Sequence, residues 1–577
     1  MKDLKRIFQC LLPYRKPFIL AVLFVVVETS FELIIPMIMA DIIDVGIAAS
    51  DIHYIMVKGV EMAGCALPSL ITGLLYAKYA AIAANGFAYE LREREFSKIQ
   101  EYSFANLDHF ETSSLITRMT SDVTVMQNLI SAGLRPLVRG PVMLVLGLLM
   151  AFLINAKLAL VFVVCAPVLA LILTGIVRKI APMYGQLQKA VDQVNSIVEE
   201  NLTAIRAVKA FVRGTYEEEK FDRVNGSLMT VSEKTFHYAV MNLPAFQLTM
   251  YAAIVSILWF GGQLIFIGGM QVGELTGFLS YVLQIMNSLM MISNVFLMLT
   301  RSLASTKRIV EVLDEKSDIQ DGDAALELKD GSIMFDHVSF KYQREAKEYV
   351  LRDISLDIKA GQTIGIIGGT GSAKSTLVSL IPRLYDISEG TLRVGGHDVQ
   401  AYSLERLRDE IGIVLQKNVL FSGTIRENLL WGNPQADEKE LDWACHVACA
   451  DEFLEKFEKG YDTYLEEGGV NVSGGQKQRL CIARALLKKP KILIFDDSTS
   501  AVDTATDARI RSSLAELKDT TKLIIAQRVS SLMHADQIII LDDGRINAVG
   551  THEELLKTNP IYQEIYESQQ KGVSENG

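Results

Sequence analysis

Six long apolar stretches occupy the first three hundred residues, and they constrain the fold of this chain more than any other feature. Each supplies the ~20 residues that a helix needs to cross the hydrocarbon core of a bilayer. The stretches lie near residues 17–43, 55–84, 134–154, 158–180, 240–268 and 275–300. They predict a membrane all-α domain of six transmembrane helices over residues 1–313.

The remainder of the chain has a different pattern. Apolar strands, such as residues 363–368 and 492–495, alternate with helical patterns and glycine-rich turns. This alternation is typical of an α/β domain. A charged segment over residues 314–330 has the composition of a linker. We therefore expect a cytoplasmic α/β P-loop nucleotide-binding domain over residues 331–577.

Composition and charge exclude several classes of protein. The chain has 577 residues, which is more than one core holds, and 50% of them are apolar. The net charge of −11 argues against nucleic acid as a partner. The six cysteines are scattered without a CxxC pair, so neither a disulfide framework nor a zinc site is indicated.

Loop charge predicts the orientation in the membrane. Residues 1–16 carry five basic side chains and one acid, whereas the loop near residues 46–57 carries no lysine or arginine. The N-terminus is therefore expected in the cytoplasm, and six spans return the C-terminal domain to the same side. The stretches between spans two and three, and between spans four and five, are about fifty residues long. We expect them to extend as cytoplasmic helices, with residues 110–118 and 208–213 as candidates to dock on the α/β domain.

A phosphate-binding loop opens the α/β domain. The residues are Gly368, Gly369, Thr370, Gly371, Ser372, Ala373, Lys374, Ser375 and Thr376, between an apolar strand and a helical run. Backbone N–H groups in such a loop point at phosphate oxygens. Lys374 is expected to reach the β- and γ-phosphates of ATP, and Ser375 to hold Mg²⁺. Ala373 replaces the usual glycine; it keeps the N–H but restricts the backbone angles.

The catalytic positions depart from those of a competent hydrolase. Asp496 ends an apolar strand and is expected to hold Mg²⁺ through water. Asp497 stands where a general base, normally glutamate, belongs. The missing methylene moves the carboxylate by about 1 Å or more, and misplacement of that size can cost ~10²-fold in rate. Gln527 stands where such a hydrolase carries histidine.

These residues resemble the ATP-binding cassette (ABC) transporters. The stretch from Val472 to Arg479 resembles the family signature and follows the phosphate loop by about a hundred residues. Five further positions match family landmarks. The resemblance implies that Tyr342 stacks on adenine, Gln416 links Mg²⁺ to the membrane domain, Glu467 contacts that domain, residues 500–503 cross the dimer interface, and Gln527 occupies the switch-histidine position.

The resemblance covers nearly the whole chain and implies a half-transporter of the exporter class. In the family, each ATP lies between the phosphate loop of one chain and the signature of the other. Asp497 and Gln527 would then weaken one site, whereas Ser473, Gly474, Gly475 and Gln476 would complete the partner's site. This favours the degenerate-site subunit of a heterodimeric multidrug exporter in a bacterial cell membrane. The alternatives are a homodimeric lipid or peptide exporter that uses Asp497 as a slow base, and an ATP-gated channel.

Two acidic residues in the first span bear on the cargo. Glu28 and Glu32 are four residues apart and therefore share one helical face. Ionisable groups in a membrane are costly and face a water-filled cavity or a partner. One interpretation is a cavity for cationic amphipathic small molecules; the other is structural pairing with Arg135, Arg139 or Lys78. Further candidates to line a cavity are Asn242, Gln247, Trp259, Gln284, Asn287 and Asn294.

Overall fold

The computed structural model describes residues 2–323, 325–343, 346–497 and 502–574. These residues form two compact units. The first contains the chain up to Gln100 together with Thr112–Glu315, and the second contains Glu101–Glu111 and the described residues from Lys316 onward.

Helices build the first unit. In chain order they are α1 (Lys2–Ile7), α2 (Arg15–Asp41), α3 (Ile52–Gln100), α5 (Thr112–Thr117), α6 (Val123–Ser131), α7 (Leu134–Ile154), α8 (Ala156–Thr203), α9 (Ile205–Ala210), α10 (Gly214–Val240), α11 (Asn242–Phe266) and α12 (Val272–Asp314). Helix α4 (Phe104–His109) belongs to the second unit.

Six helical stretches in the described part of the chain are long and apolar enough to cross a membrane. This confirms the predicted six-helix transmembrane domain. Helices α3 and α8 have 49 and 48 residues, respectively. At 1.5 Å per residue each is about 70 Å long, roughly twice the hydrocarbon thickness. Both helices therefore continue well beyond the apolar stretches that hydropathy detects.

Close backbone approach and a polar cap join the spans. A Cβ atom on Gly277 of α12 would lie 3.1 Å from the Pro36 carbonyl oxygen of α2. Small residues of this kind let membrane helices pack closely. The carboxylate of Asp44, just beyond α2, accepts hydrogen bonds from the backbone N–H groups of Gly273 at 2.5 Å and Glu274 at 2.9 Å. It thereby adds to the capping box that Gln271 and Glu274 form at the N-terminus of α12.

The second unit combines three sheets with short helices. Its strands are β1 (Ile333–Phe340), β2 (Leu351–Ile358), β3 (Thr363–Gly368), β4 (Glu389–Val394), β5 (His397–Asp398), β6 (Ile411–Val414), β7 (Gly423–Thr424), β8 (Tyr464–Leu465), β9 (Ile492–Asp496), β10 (Thr521–Ile525), β11 (Gln537–Asp542) and β12 (Arg545–Gly550). Its helices after α4 are α13 (Lys374–Leu380), α14 (Leu404–Asp409), α15 (Ile425–Leu430), α16 (Glu438–Val447), α17 (Asp451–Leu454), α18 (Gly474–Leu487), α19 (Thr504–Ala515), α20 (His552–Thr558) and α21 (Pro560–Ser574).

The central sheet has the strand order β12-β11-β3-β10-β9-β6. Its strands are parallel except β12, which pairs antiparallel to β11 at one edge. A separate antiparallel sheet has the order β2-β1-β4-β5, and β7 pairs with β8. This mixed α/β architecture confirms the predicted fold class of the C-terminal part.

The two faces of the central sheet support two different cores. Successive side chains of a strand point to opposite faces. Leu493 and Phe495 of β9 belong to one buried cluster, which also takes in α18. Ile492 and Ile494 belong to a second cluster, which takes in α13. Helices α13 and α18 therefore pack on opposite faces of the sheet.

Residues 101–111 pack within the second unit. Ser103 caps α4, and the side chain of Asn106 donates to the Lys316 carbonyl at 3.0 Å. The Tyr385 hydroxyl donates to the Asp108 carboxylate at 2.7 Å. The segment that joins the second unit thus begins before the predicted residues 110–118. In contrast, Phe211 and Val212 in the other candidate segment are exposed.

Candidate functional site

The parallel strands bring the predicted catalytic residues to one edge of the sheet. Strand β10 lies between β3 and β9, and β6 flanks β9. The phosphate loop follows β3, Gln416 follows β6, Asp496 ends β9 and Gln527 follows β10. Ligand sites of parallel α/β sheets form at this carboxyl edge. The arrangement gathers groups that are up to about 160 residues apart in the chain.

Backbone geometry of the phosphate loop explains the glycine at position 368 and shows strain at Ala373. A Cβ atom on Gly368 would lie 2.1 Å from the Leu541 carbonyl oxygen, so only glycine fits there. Ala373 adopts the left-handed conformation with φ 70° and ψ 26°. An L-residue in that region costs roughly 1–2 kcal/mol, which glycine avoids. The loop therefore holds a strained conformation at the one position that departs from the usual pattern.

Lys374 is folded onto its own loop. Its ammonium donates to the carbonyl oxygens of Gly368 at 2.9 Å and Gly369 at 2.7 Å, and to the Ser372 hydroxyl at 3.3 Å. Burial lowers the pKa of the Lys374 ammonium, whereas Asp497 and Asp496 oppose the decrease. A cation held by neutral carbonyl groups is poorly compensated, so a phosphate anion fits this loop as a counter-charge.

Asp496 and Ser375 form the candidate Mg²⁺ site. The Ser375 hydroxyl donates to Asp496 Oδ1 at 2.8 Å, and Asp496 is 6% exposed. Burial raises the pKa of the Asp496 carboxyl, the Ser375 bond opposes the rise, and the negative charge of Asp497 adds to it. A hydroxyl and a buried carboxylate are hard oxygen donors, which fit Mg²⁺. A divalent cation there would also relieve the repulsion between the two aspartates.

The two departures from a competent hydrolase contact each other directly. Gln527 Nε2 donates to Asp497 Oδ2 at 2.6 Å. The Asp497 N–H donates to the Ile525 carbonyl at 3.1 Å, and its φ is 48°. Asp497 thus leaves β9 by a left-handed turn that aims its carboxylate at the loop after β10. One oxygen of the candidate general base is engaged by the amide that replaces histidine.

The other residues that are expected to contact ATP or Mg²⁺ are more exposed. The Tyr342 side chain is exposed. Its ring packs edge-on against Tyr385, with 5.1 Å between the ring centroids, and its hydroxyl shares a hydrogen bond with the Thr376 hydroxyl at 2.9 Å. Gln416 is exposed after β6. Sequence reasoning did not identify Tyr385 as a neighbour of Tyr342, because the two residues are distant in the chain. Ser500 and Ala501 of the predicted interface loop lie outside the described residues.

The signature residues form the N-terminus of α18. The Ser473 hydroxyl accepts from the Gln476 N–H at 3.3 Å, and Gln476 Oε1 accepts from the Ser473 N–H at 2.8 Å. This reciprocal pair is a capping box. Ser473 and Gly474 are exposed, and Gly475 and Gln476 are partly exposed. The signature therefore lies at the protein surface, and its helix N-terminus is capped by its own side chains. It lies on a helix that packs on the opposite sheet face from α13.

The two acidic residues of the first span are paired. Glu28 accepts a short hydrogen bond from Arg135, and Glu32 Oε2 accepts from Arg139 at 2.5 Å. Both arginines lie on α7, four residues apart, so the pairs form a two-rung ladder between α2 and α7. Its formal charges cancel, which is the structural pairing that the second interpretation predicts. Among the other cavity candidates, the side chains of Asn242 and Asn294 lie outside the described residues.

Comparison with known proteins identifies the family. Residues 18–289 match the ABC transporter transmembrane region, and residues 351–500 match the ABC transporter family. The chain is 40% identical over 562 residues to the uncharacterized ABC transporter ATP-binding protein YfiB of Bacillus subtilis, covering 97% of this chain and 98% of the relative.

A second relative and a solved structure agree. The ATP-dependent lipid A-core flippase of Desulfotalea psychrophila is 32% identical, covering 98% of this chain and 99% of the flippase. The structure of a bacterial Atm1-family ABC exporter with ATP bound matches with a TM-score of 0.81 and 24% identity, covering 96% of this chain and 98% of that chain. It shows that the fold is shared. The chain belongs to the ABC transporters, and the transmembrane region and the ATP-binding domain of that family are fused here in one polypeptide.

Proposed function

We propose that this chain is one half of a heterodimeric ABC exporter, and that its own phosphate loop holds ATP while the partner's site hydrolyses it. The observation that supports this proposal most strongly is the 2.6 Å hydrogen bond from Gln527 to Asp497. A glutamine amide does not titrate, so it offers no proton acceptor or cationic form during hydrolysis. Its N–H also engages the carboxylate that would orient the attacking water.

The positions of α13 and α18 support a second chain. The phosphate loop precedes α13, the signature begins α18, and these helices pack on opposite faces of the central sheet. An ATP on this chain's loop is then completed by the signature of another chain. The exposed Ser473 and the partly exposed Gly475 and Gln476 of this chain remain available to the partner's ATP. A heterodimer confines the Asp497 and Gln527 departures to one of the two sites.

The proposed cycle is alternating access. In each site Lys374 or its counterpart would neutralise phosphate charge. Ser375, Gln416 and Asp496 would hold Mg²⁺ in this chain's site. Mg²⁺ would supply charge neutralisation on the β- and γ-phosphates. Closure of two nucleotide domains over two ATPs turns the membrane cavity outward. Hydrolysis at the partner's site, completed by Ser473 here, resets the cavity inward.

The proposed cargo is an amphipathic small molecule moved out of the cytoplasm. The near full-length likeness to a lipid A-core flippase supports an amphiphile. The neutral ladder of Glu28, Glu32, Arg135 and Arg139 favours structural pairing over selection of cations. We retain cation preference as the finer hypothesis that Glu28→Gln with Glu32→Gln tests, by comparing cationic with neutral dyes in vesicles. Unequal loss of transport supports it; equal loss removes it.

The proposed location is a bacterial cell membrane, with both termini in the cytoplasm. The basic first sixteen residues and the bacterial relatives support this proposal. Accumulation of cargo against its gradient in inverted vesicles supports an exporter. ATP-dependent conductance without accumulation would instead indicate an ATP-gated channel.

The assembly is tested by purifying the tagged full-length chain from its own cells and identifying what copurifies in equal amount. We expect a second six-span ABC half-transporter with glutamate and histidine at the positions matching Asp497 and Gln527. Aspartate and glutamine at both matching positions would contradict the proposal. A stable, hydrolytically active assembly of this chain alone would establish the alternative, a homodimeric lipid or peptide exporter.

A further inference from the structure

The C-terminal helix α21 carries a glutamine that grips the loop after β10. Gln569 Nε2 donates to the Gln527 carbonyl oxygen at 2.8 Å, and Gln569 Oε1 accepts from the Val529 N–H at 2.8 Å. Only one orientation of the side-chain amide satisfies both bonds. The grip therefore holds the backbone on both sides of Arg528 and fixes the residue whose side chain reaches Asp497.

Helix α21 is anchored firmly enough to carry this grip. Tyr562 is fully buried in the core that contains α18, and its hydroxyl shares a hydrogen bond with His552 Nδ1 at 2.8 Å. The Asn559 side chain accepts from the Tyr562 N–H at 3.0 Å and caps the helix. Gln569 follows Tyr562 by seven residues, so the two lie on the same face, about 10 Å apart along the axis.

Residue 527 is consequently held at both ends. Its carbonyl is bound by Gln569, and its side chain donates to Asp497 at 2.6 Å. On the far side of the loop, Arg511 donates to the Ser530 carbonyl at 2.9 Å. A chain of contacts therefore leads from the buried N-terminal end of α21, through the Gln569 amide and residue 527, to the Asp497 carboxylate at the candidate general-base position.

We propose that Gln569 is a positioning residue, which sets the place of residue 527 relative to Asp497 and so makes the C-terminal helix part of the ATP site's control. The inference rests on the proposed function in one respect, since it takes residue 527 to act on bound ATP. The geometric grip itself does not depend on that role. Gln569 touches neither substrate nor reacting atoms; it acts through the backbone of the loop.

The chain offers a matched control. Gln570 is the same residue type at the next position of the same helix and is exposed. Gln569→Ala removes both bonds to the loop, whereas Gln570→Ala alters helix propensity and side-chain entropy in the same way. Comparing the two variants separates the grip from any general effect on α21.

The first readout is hydrogen exchange of the Val529 amide in the full-length protein. Loss of one hydrogen bond of ordinary strength should speed local exchange by roughly five- to tenfold in Gln569→Ala. Gln570→Ala should leave the exchange rate unchanged. Equal protection in both variants would overturn the proposed grip, whatever the site does with ATP.

The second readout is ATP hydrolysis in an Asp497→Glu/Gln527→His background, within the assembly that the chain forms. The background also carries Gly475→Glu, which blocks the signature that completes the partner's site, so the hydrolysis measured comes from this chain's phosphate loop. Histidine keeps the backbone carbonyl that Gln569 binds. A shift of the loop by about 1 Å should lower kcat by ten- to a hundredfold in Gln569→Ala, with KM for ATP within twofold. Unchanged kcat, or equal changes in kcat and KM, would overturn the positioning role. Absence of hydrolysis in the background itself would count against the proposed function instead, and hydrogen exchange would still decide the grip.

Discussion

Replacing Asp497 with glutamate and Gln527 with histidine should allow this site to hydrolyse the ATP that it otherwise retains. At present the carboxylate lies 2.6 Å from an amide donor, and its side chain is one methylene short. Restoring the reach of the carboxylate at position 497 should raise the hydrolysis rate ~10²-fold. A titratable imidazole in place of the amide at position 527 should raise the hydrolysis rate by ~10²–10⁴-fold. Because the two side chains touch, the gains will not add fully. We expect roughly 10²–10³-fold faster hydrolysis at this site.

The assay must isolate this site from the partner's site. Gly475→Glu in this chain places a bulky acid on the signature surface that completes the partner's site, so the remaining hydrolysis comes from this chain's phosphate loop. In that background the double substitution should raise the rate by the stated factor. Adding Lys374→Ala should abolish the gain, because the ammonium that neutralises the phosphates is lost.

Two results would refute this reasoning. An unsubstituted site that already hydrolyses ATP as fast as the double variant would mean that Asp497 is an adequate base. A double variant that binds ATP normally but gains no rate would mean that these two positions do not limit catalysis. Each single substitution should give less than the pair, since either one leaves a mismatched partner in place.

Three further outcomes follow from the same geometry. Ser473→Ala should lower total ATPase activity more than Lys374→Ala does, because the signature serves the productive site; equal losses would contradict the asymmetry. Ala373→Gly removes roughly 1–2 kcal/mol of left-handed strain but adds about 0.5–1 kcal/mol of unfolded-state entropy. The free energy of unfolding without nucleotide should therefore rise by about 0–1.5 kcal/mol. If thermal unfolding shows that the free energy of unfolding of the variant falls by more than about 1 kcal/mol, Ala373 is not strained. Glu28→Gln should destabilise the detergent-solubilised protein by about 1–3 kcal/mol, and adding Arg135→Met should recover part of that loss; strictly additive losses would contradict the pairing.

The sequence could predict the fold because its signals are local. A run of about 20 apolar residues identifies a span wherever it occurs. Hydropathy did not define the ends of α3 and α8, because their polar extensions are stabilised by helical packing and not by the membrane. The phosphate loop was likewise readable, since Lys374 and Ser375 sit at fixed distances from one strand end.

Contacts between distant segments could not be read in this way. Asp497 and Gln527 were assigned to one site, but their direct hydrogen bond depends on β10 lying beside β9. Pairing of Glu28 with Arg135 was one of several alternatives, and helix packing selects it. Gln569 carries no local motif at all. The positioning that we propose for Gln569 depends on the burial of the N-terminal end of α21.

ATP bound to this chain should be retained while the partner's ATP is hydrolysed. The most direct measurement uses a photoreactive ATP labelled at the γ-phosphate, cross-linked to the assembly during steady turnover. We expect the label to stay on this chain near Tyr342 and to be lost from the partner. Equal loss of label from both chains would contradict it.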